Sequence, residues 1–166
     1  MGRNSGGIRS EGTRWAVAVR PTPSERISSV INEIRSKGYS TAKPFTVGKV
    51  ERRMSRYAAA NGITLGSDKL YMSATQIAHA LRDTKTIKGL AVSDRELASF
   101  PKARLKMDLY CDGECFIYTD YRTKYIIHPN YEMKINRMKT RKVNFVTAGK
   151  VTDKDEFKHP RYVRVK

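Results

Sequence analysis

The chain of 166 residues carries 33 lysines and arginines against 16 acidic residues, and its formal net charge of +17 favours nucleic acid or another polyanion as a partner. Its 39% hydrophobic residues suffice for the core of one ordinary domain, and the lack of a run of about 18 apolar residues predicts no membrane span. Two cysteines are too few for a disulfide scaffold, and the N-terminal residues lack the apolar core of a signal peptide, so we expect no secretion by that route.

The two cysteines do not predict a metal site. Cys111 and Cys115 flank Asp112-Gly113, a dipeptide typical of hairpin turns. A zinc site would need two further ligands, and the spacing of His128 and His159 fits no zinc-finger or zinc-ribbon pattern. We therefore expect two reduced cysteines at a turn, with no metal and no cofactor.

The N-terminal part of the chain predicts a flexible arm, a strand and a helix. Residues 1–14 are rich in Gly, Ser and Arg and are typical of a flexible basic arm. The apolar run Trp15–Val19 predicts a short strand. Thr22 and Glu25 then form a capping box around a proline, apolar residues follow at helical spacing, and Gly38 predicts the helix end.

A second helix is predicted from Val47 to Asn61, with Gly62 closing it. Opposite its apolar stripe lies a basic side formed by Lys49, Arg52, Arg53 and Arg56. Charged helix faces are usually just solvated, but this one, and Arg53 in particular, could bind phosphate. Residues 15–69 are thus predicted to form a helical N-terminal region.

A third helix carries the most informative segment of the chain. Ser73 and Gln76 predict a capping box at its start. His79, Arg82 and Lys85 follow at spacings of three, which would place them on a similar side of the helix. An imidazole that titrates near neutral pH, beside two cations, suits proton transfer next to a phosphate.

A fourth helix and a series of strands complete the chain. Ser93 and Glu96 predict another capping box, and Phe100-Pro101 predicts the helix end. Six short runs separated by turn signals then predict strands: 107–110, 116–119, 124–128, 131–135, 142–148 and 162–165. Helices followed by a meander of strands predict an α+β fold with a curved antiparallel sheet.

The strands add hydroxyl groups and cations that suit RNA cleavage without a metal. That chemistry needs a base for the 2′-hydroxyl, an acid for the leaving 5′-oxygen and donors for the phosphorane oxygens. The strand residues available for it are Tyr118, Thr119, Tyr121, Lys124 and Thr147. By strand alternation, Thr147 shares a face with Val143 and Phe145, whereas Asn144 and Val146 share the other. The Thr147 hydroxyl could line a cleft, although a half-buried threonine is also common in strands.

Residues 70–166 resemble the phage-associated branch of the barnase/EndoU/colicin/RelE-like nuclease superfamily. The matching features are a helix with Ile77-Ala78-His79, the segment 90–94, Phe100-Pro101, and a strand run ending in 144–147. The resemblance implies a nuclease domain over these residues, with a nuclease-like cleft between the helix and the sheet.

The resemblance also implies roles for individual residues. His79 would be the helical histidine, Arg82 or Lys85 the basic position after it, and Thr147 the late-strand hydroxyl. Family helices often carry a second histidine where this chain has Lys85, so proton transfer at that position could fall to Tyr118 or Tyr121. We assign catalysis to His79, Lys85, Tyr118 and Thr147, and substrate binding to Arg53, Arg82, Tyr121, Lys124 and Lys142.

The leading hypothesis is a metal-independent endoribonuclease of phage or mobile-element origin, a candidate toxin that prefers RNA and leaves a 2′,3′-cyclic phosphate. It would act in the bacterial cytoplasm or in association with a virion, with phage head proteins or an acidic immunity protein as further partners. The alternative is a non-enzymatic basic protein that packages nucleic acid in a virion. A DNA-binding regulator is less favoured because no helix-turn-helix pattern is evident.

Overall fold

The computed structural model describes residues 20–82, 89 and 91–166, and it has the α+β fold expected from the sequence. The helices are α1 (Pro23–Lys37), α2 (Arg52–Ala60), α3 (Ala74–Leu81) and α4 (Asp94–Ala103). The strands are β1 (Phe45–Lys49), β2 (Lys69–Met72), β3 (Asp108–Cys111), β4 (Phe116–Thr119), β5 (Thr123–Asn136), β6 (Lys139–Lys150) and β7 (Val163–Val165). The predicted arm 1–14, the predicted strand Trp15–Val19 and Lys85 lie outside the described residues.

The seven strands form one open, mixed sheet in the order β1-β2-β6-β5-β4-β3-β7. Its neighbours are antiparallel except for β2 and β6, which run parallel and so depart from the purely antiparallel sheet that the sequence predicts. Buried Asn144 on β6 holds this pair, because its amide nitrogen donates to the carbonyls of Ser67 and Lys69 at 2.8 and 2.9 Å. Its amide oxygen accepts from the Gly66 N–H at 2.8 Å. The buried amide is thus satisfied and attaches the loop before β2 to β6.

The helix starts predicted from capping residues are confirmed. Thr22 and Ser93 form complete capping boxes at α1 and α4, and Ser73 accepts a hydrogen bond from the Gln76 N–H at α3. Gly38 ends α1 in the left-handed conformation, with φ of 85°, where a side chain would be strained.

The predicted second helix is wrong over its first residues, which form strand β1. Phe45 and Val47 alternate with Thr46 and Gly48, and the two apolar residues are buried at 3% and 0% exposure. This period-two burial pairs β1 with β2, and helix α2 begins only at Arg52. At Gly48 a Cβ atom would lie 2.6 Å from the buried Arg104 guanidinium, so any other residue there would require the Arg104 side chain to move.

Two further boundaries differ from the prediction. Helix α4 continues through Pro101 to Ala103, two residues beyond the predicted end, and a 3₁₀ turn, Arg104–Lys106, follows it. The two strands predicted at 124–128 and 131–135 are one continuous strand, β5, with a register irregularity between His128 and Tyr131. A bulge of this kind adds residues without ending the ladder, which explains why turn-like residues occur inside a strand.

All four helices pack on one face of the sheet. The helices and the sheet share one apolar core. Helix residues in this core include Ile27, Met54, Ile77 and Leu97, and strand residues include Tyr118 and Val146. Within the described residues, no helix is long and apolar enough to cross a membrane. Within residues 20–82 and 91–166, none of the helices α1 to α4 packs on the opposite face of the sheet.

Glu96 joins this helical layer to the sheet. Its carboxylate accepts from Lys150 Nζ at 2.7 and 2.6 Å and from the Thr123 hydroxyl. Burial alone would raise the pKa of Glu96, but the bonds from Lys150 and Thr123 outweigh it and hold the pKa at about 2, below its usual 4.5.

We expect Glu96→Gln to lower the free energy of unfolding by about 1–3 kcal/mol, because it removes charge-assisted hydrogen bonds. A lowered folded-state pKa stabilises the fold above the unfolded pKa of 4.5, and that contribution disappears as pH falls to about 2. Denaturant unfolding between these pH values should therefore show a smaller pH slope for the variant than for the parent. An unchanged slope would remove Glu96 from the acid sensitivity of the fold.

Candidate nucleic-acid interface

The sheet face opposite the helices carries a small apolar cluster of its own. It consists of Tyr71, Val143 and Phe145, with Met133 packed against it, and it contains only strand residues. Val143, Phe145 and Thr147 lie on this face and Val146 faces the helices, so the alternation predicted for β6 is confirmed. We call this surface the open face.

A two-stranded ribbon extends from one end of the open face. The β5–β4 pairs end at Ile127 and the β6–β2 pairs lie at Asn144 and Phe145, so among the described residues the segment 131–142 pairs only along the β5–β6 ladder. We call these residues the basic ribbon. Its exposed cations are Lys134, Arg137, Lys139, Arg141 and Lys142.

The basic ribbon has little internal charge compensation. Its one carboxylate, Glu132, accepts a hydrogen bond from Thr140 at 3.0 Å and lies 4.0 Å from Lys142. The Lys142 and Glu132 side chains are 55% and 59% exposed, and ion pairs between such exposed groups contribute little energy. The cationic charge of the ribbon therefore stays available to an external anion.

Aromatic rings lie where the basic ribbon joins the sheet. Tyr131 stacks on Phe145 with ring centroids 5.1 Å apart and an interplanar angle of 24°, while 47% of Tyr131 remains exposed. The Arg141 guanidinium lies 5.5 Å from the centre of the Tyr71 ring. Beside them is a depression, which we call the aromatic slot, lined by Lys43, Pro44, Tyr71, Met133, Arg141 and Val143.

His128 lies next to these rings on the open face. Its Nε2 atom is 3.2 Å from the Thr147 hydroxyl and its Nδ1 atom is 3.5 Å from Cys115 Sγ. Burial lowers the pKa of His128, against a smaller opposing effect of Asp112, and burial raises the pKa of Cys115 to about 11. At neutral pH the site therefore holds a neutral imidazole and a protonated thiol. Among the described residues, no group of three His, Cys, Asp or Glu side chains could hold a metal ion.

The structure does not bring His79 and Thr147 together. His79 is exposed on α3, whose apolar residues pack on the helical side of the sheet, whereas the Thr147 hydroxyl contacts His128 on the open face. The sheet separates the two side chains. Helix α3 also ends at Leu81, and Arg82 follows it in an extended conformation, so Arg82 does not continue the helical side that carries His79. Lys85 lies outside the described residues.

Tyr118 and Arg53 belong to a polar network on the helical side. The Tyr118 hydroxyl donates to Glu51 at 3.0 Å and lies 3.3 Å from buried Arg104, and Arg53 donates to Glu51 at 3.1 Å and to the Met107 carbonyl at 3.0 Å. Tyr118 is fully buried, and this burial raises its pKa well above the usual value. In this arrangement both side chains satisfy internal partners away from the open face.

The remaining substrate-binding candidates lie at two ends of the sheet. Tyr121 donates to Asp108 and lies 2.8 Å from the Tyr110 hydroxyl, and Lys124 pairs with Glu156 at 2.9 Å. The rings around Tyr121, including Phe157 on a C-terminal 3₁₀ turn, form a separate cluster. Lys142, by contrast, belongs to the basic ribbon. By strand alternation the Lys142 side chain faces away from Val143, Phe145 and Thr147, so the structure does not bring Lys142 and Thr147 together on the open face.

Sequence reasoning missed three contributors to this surface: Tyr71, Tyr131 and Arg141. It considered His128 only as a zinc ligand. For His128 and Tyr131 the available signal is the pair Pro129-Asn130 between two strand runs, since a bulge there places both side chains on the same side of β5. Comparisons with family models, with curated proteins and with solved structures found no match. The resemblance to the nuclease superfamily therefore stays a prediction.

Proposed function

We propose that this protein binds nucleic acid, with RNA preferred, through the basic ribbon and the adjoining open face. The observation that carries the proposal is the run of five exposed cations on a projecting ribbon with one carboxylate. Phosphate contacts by lysine and arginine release counterions, which provides most of the affinity in sequence-independent binding. The preference for RNA follows from the resemblance described above. The same resemblance extends the proposal to a role in packaging nucleic acid in a virion or in RNA processing.

We expect the affinity for single-stranded RNA to fall steeply with salt. Five phosphate contacts predict a slope of about −3.5 for the logarithm of the binding constant against the logarithm of salt concentration. Fluorescence anisotropy of labelled RNA and DNA strands of equal length would measure both the slope and the preference. A flat salt dependence would contradict phosphate binding, and equal affinities would contradict only the preference for RNA.

RNA cleavage without a metal is the second candidate function, and the observation that favours it is the contact between His128 and Thr147. A neutral imidazole can take the proton of a 2′-hydroxyl, while the Thr147 hydroxyl donates to a phosphate oxygen. The 2′-oxygen then bonds to phosphorus and the bond to the 5′-oxygen breaks, with a proton from solvent completing the 5′-hydroxyl. Mixed RNA incubated with the pure protein and EDTA should gain 2′,3′-cyclic phosphate ends. If the RNA stays intact, nucleic-acid binding is the only one of the two proposed functions that remains.

A further inference from the structure

We infer that the aromatic slot and Tyr131 bind the unpaired bases of a single strand, while the basic ribbon holds its phosphates. This inference rests on the proposed nucleic-acid binding and specifies the form of nucleic acid. It starts from Tyr131, a residue that is 47% exposed although Phe145 stacks against its ring with centroids 5.1 Å apart. Phe145 orients the Tyr131 ring. The exposed surface of the Tyr131 ring can therefore accept a planar group at little further cost in side-chain entropy.

The aromatic slot has the chemistry that a base with its phosphate requires. Tyr71, Val143 and Met133 provide an apolar lining, and Lys43 and Arg141 add two cations to it. The Arg141 guanidinium already lies over the Tyr71 ring at 5.5 Å, and the same planar group can stack on a base.

The neighbouring elements place this slot beside a path for the backbone. Tyr131 is opposite Val143 in the β5–β6 register, and Met133 is opposite Arg141, so the Tyr131 ring and the Arg141 cation lie on the same face of the ribbon. In a duplex the base faces are covered by their neighbours, and only the phosphates could use this surface. The combination of exposed ring, apolar slot and adjacent cations therefore fits a single strand.

Tyr131→Leu tests this inference, because it removes the ring but keeps an apolar side chain. For an oligouridine of about 12 nucleotides we expect affinity to fall about 5- to 150-fold, the usual loss for one stacked base. The salt slope and the affinity for a matched RNA duplex should stay unchanged, since neither depends on the ring. Tyr131→Phe should bind the single strand within about twofold of the parent.

Tyr39→Leu is the matched control. Tyr39 is 59% exposed but follows α1 in the helical layer, so this variant should bind like the parent. Arg141→Lys provides an independent measurement if Tyr131→Leu unfolds, because it keeps the charge but loses planar stacking; we expect an affinity about 2- to 5-fold lower.

Unchanged single-strand affinity in a folded Tyr131→Leu would overturn the inference, as would an equal loss of duplex affinity. An equal loss of affinity in Tyr39→Leu would also overturn it, because the effect of removing a tyrosine ring would then not depend on its position beside the aromatic slot. These outcomes are distinct from failure of the proposed function, in which the parent itself would show no salt-dependent binding of either form.

Discussion

A variant of the basic ribbon with four alanine substitutions should bind single-stranded RNA about 200-fold more weakly than the parent at about 0.15 M salt. It replaces the exposed cations outside the aromatic slot: Lys134, Arg137, Lys139 and Lys142. Each lost phosphate contact removes about 0.7 from the salt slope, so the slope should fall from about −3.5 to about −0.7. Anisotropy titrations at several salt concentrations measure both quantities. The affinities of the parent and the variant should converge as salt approaches about 1 M, where counterion release no longer favours binding.

The matched control removes the same charge from the helical layer. It replaces four cations that are also exposed: Arg52, Arg56, Lys102 and Lys106. Screening limits the effect of charges away from the interface, so we expect a loss of about threefold or less. This control also decides whether the basic side of α2 binds phosphate. Equal losses in the two variants would mean that net charge, and not the ribbon, produces the affinity.

The elements that sequence reasoning predicted well are those specified by neighbouring residues. Thr22, Ser73 and Ser93 satisfy N–H groups within the next three residues, so the start of each helix can be recognised without knowledge of the fold. The faces of β6 follow in the same way, because alternation from Val143 to Thr147 depends only on the strand itself. Local chemistry therefore predicted these features correctly.

The elements that were missed depend on distant residues. Strand β1 was predicted as helix because Val47 and Val50 also fit a helical stripe, and only pairing with β2 selects the extended form. The parallel β2–β6 pair depends on Asn144, which bonds to backbone atoms more than seventy residues earlier in the chain. Sequence patterns within a short window contain no information about such contacts.

The same limit explains the candidate site. The spacing of His79, Arg82 and Lys85 places their side chains on one side of a helix only if the helix continues through all three residues. Helix α3 instead ends at Leu81, and no nearby glycine or proline in the sequence marks that end. Nor can spacing show on which side of a sheet a helix packs. Because α3 packs on the helical face, His79 is separated from Thr147, and His128 from the neighbouring strand contacts Thr147 instead.

If the protein cleaves RNA in the presence of EDTA, His128→Ala should lower the cleavage rate by about 10²- to 10⁴-fold, the usual effect of removing a general base. Burial lowers the pKa of His128, so its imidazole is neutral and able to accept a proton at pH 7. The rate should rise with pH and level off below the usual histidine pKa of 6.5, because the base is active only in its neutral form. Single-turnover cleavage of labelled RNA at saturating protein measures the chemical step.

Two further variants separate this role from loss of structure. His128→Gln retains a side-chain amide that can bond to Thr147 but cannot titrate, so it should fold like the parent and cleave as slowly as His128→Ala. His79→Ala should retain cleavage within about twofold, since the sheet separates His79 from the His128–Thr147 pair and a general base must reach the proton it removes. The reverse result, with His79→Ala inactive and both His128 variants active, would place the chemistry on the exposed side of α3. RNA that stays intact with the parent protein would instead favour the non-enzymatic packaging role, because tight and salt-dependent binding on the open face does not require a proton acceptor.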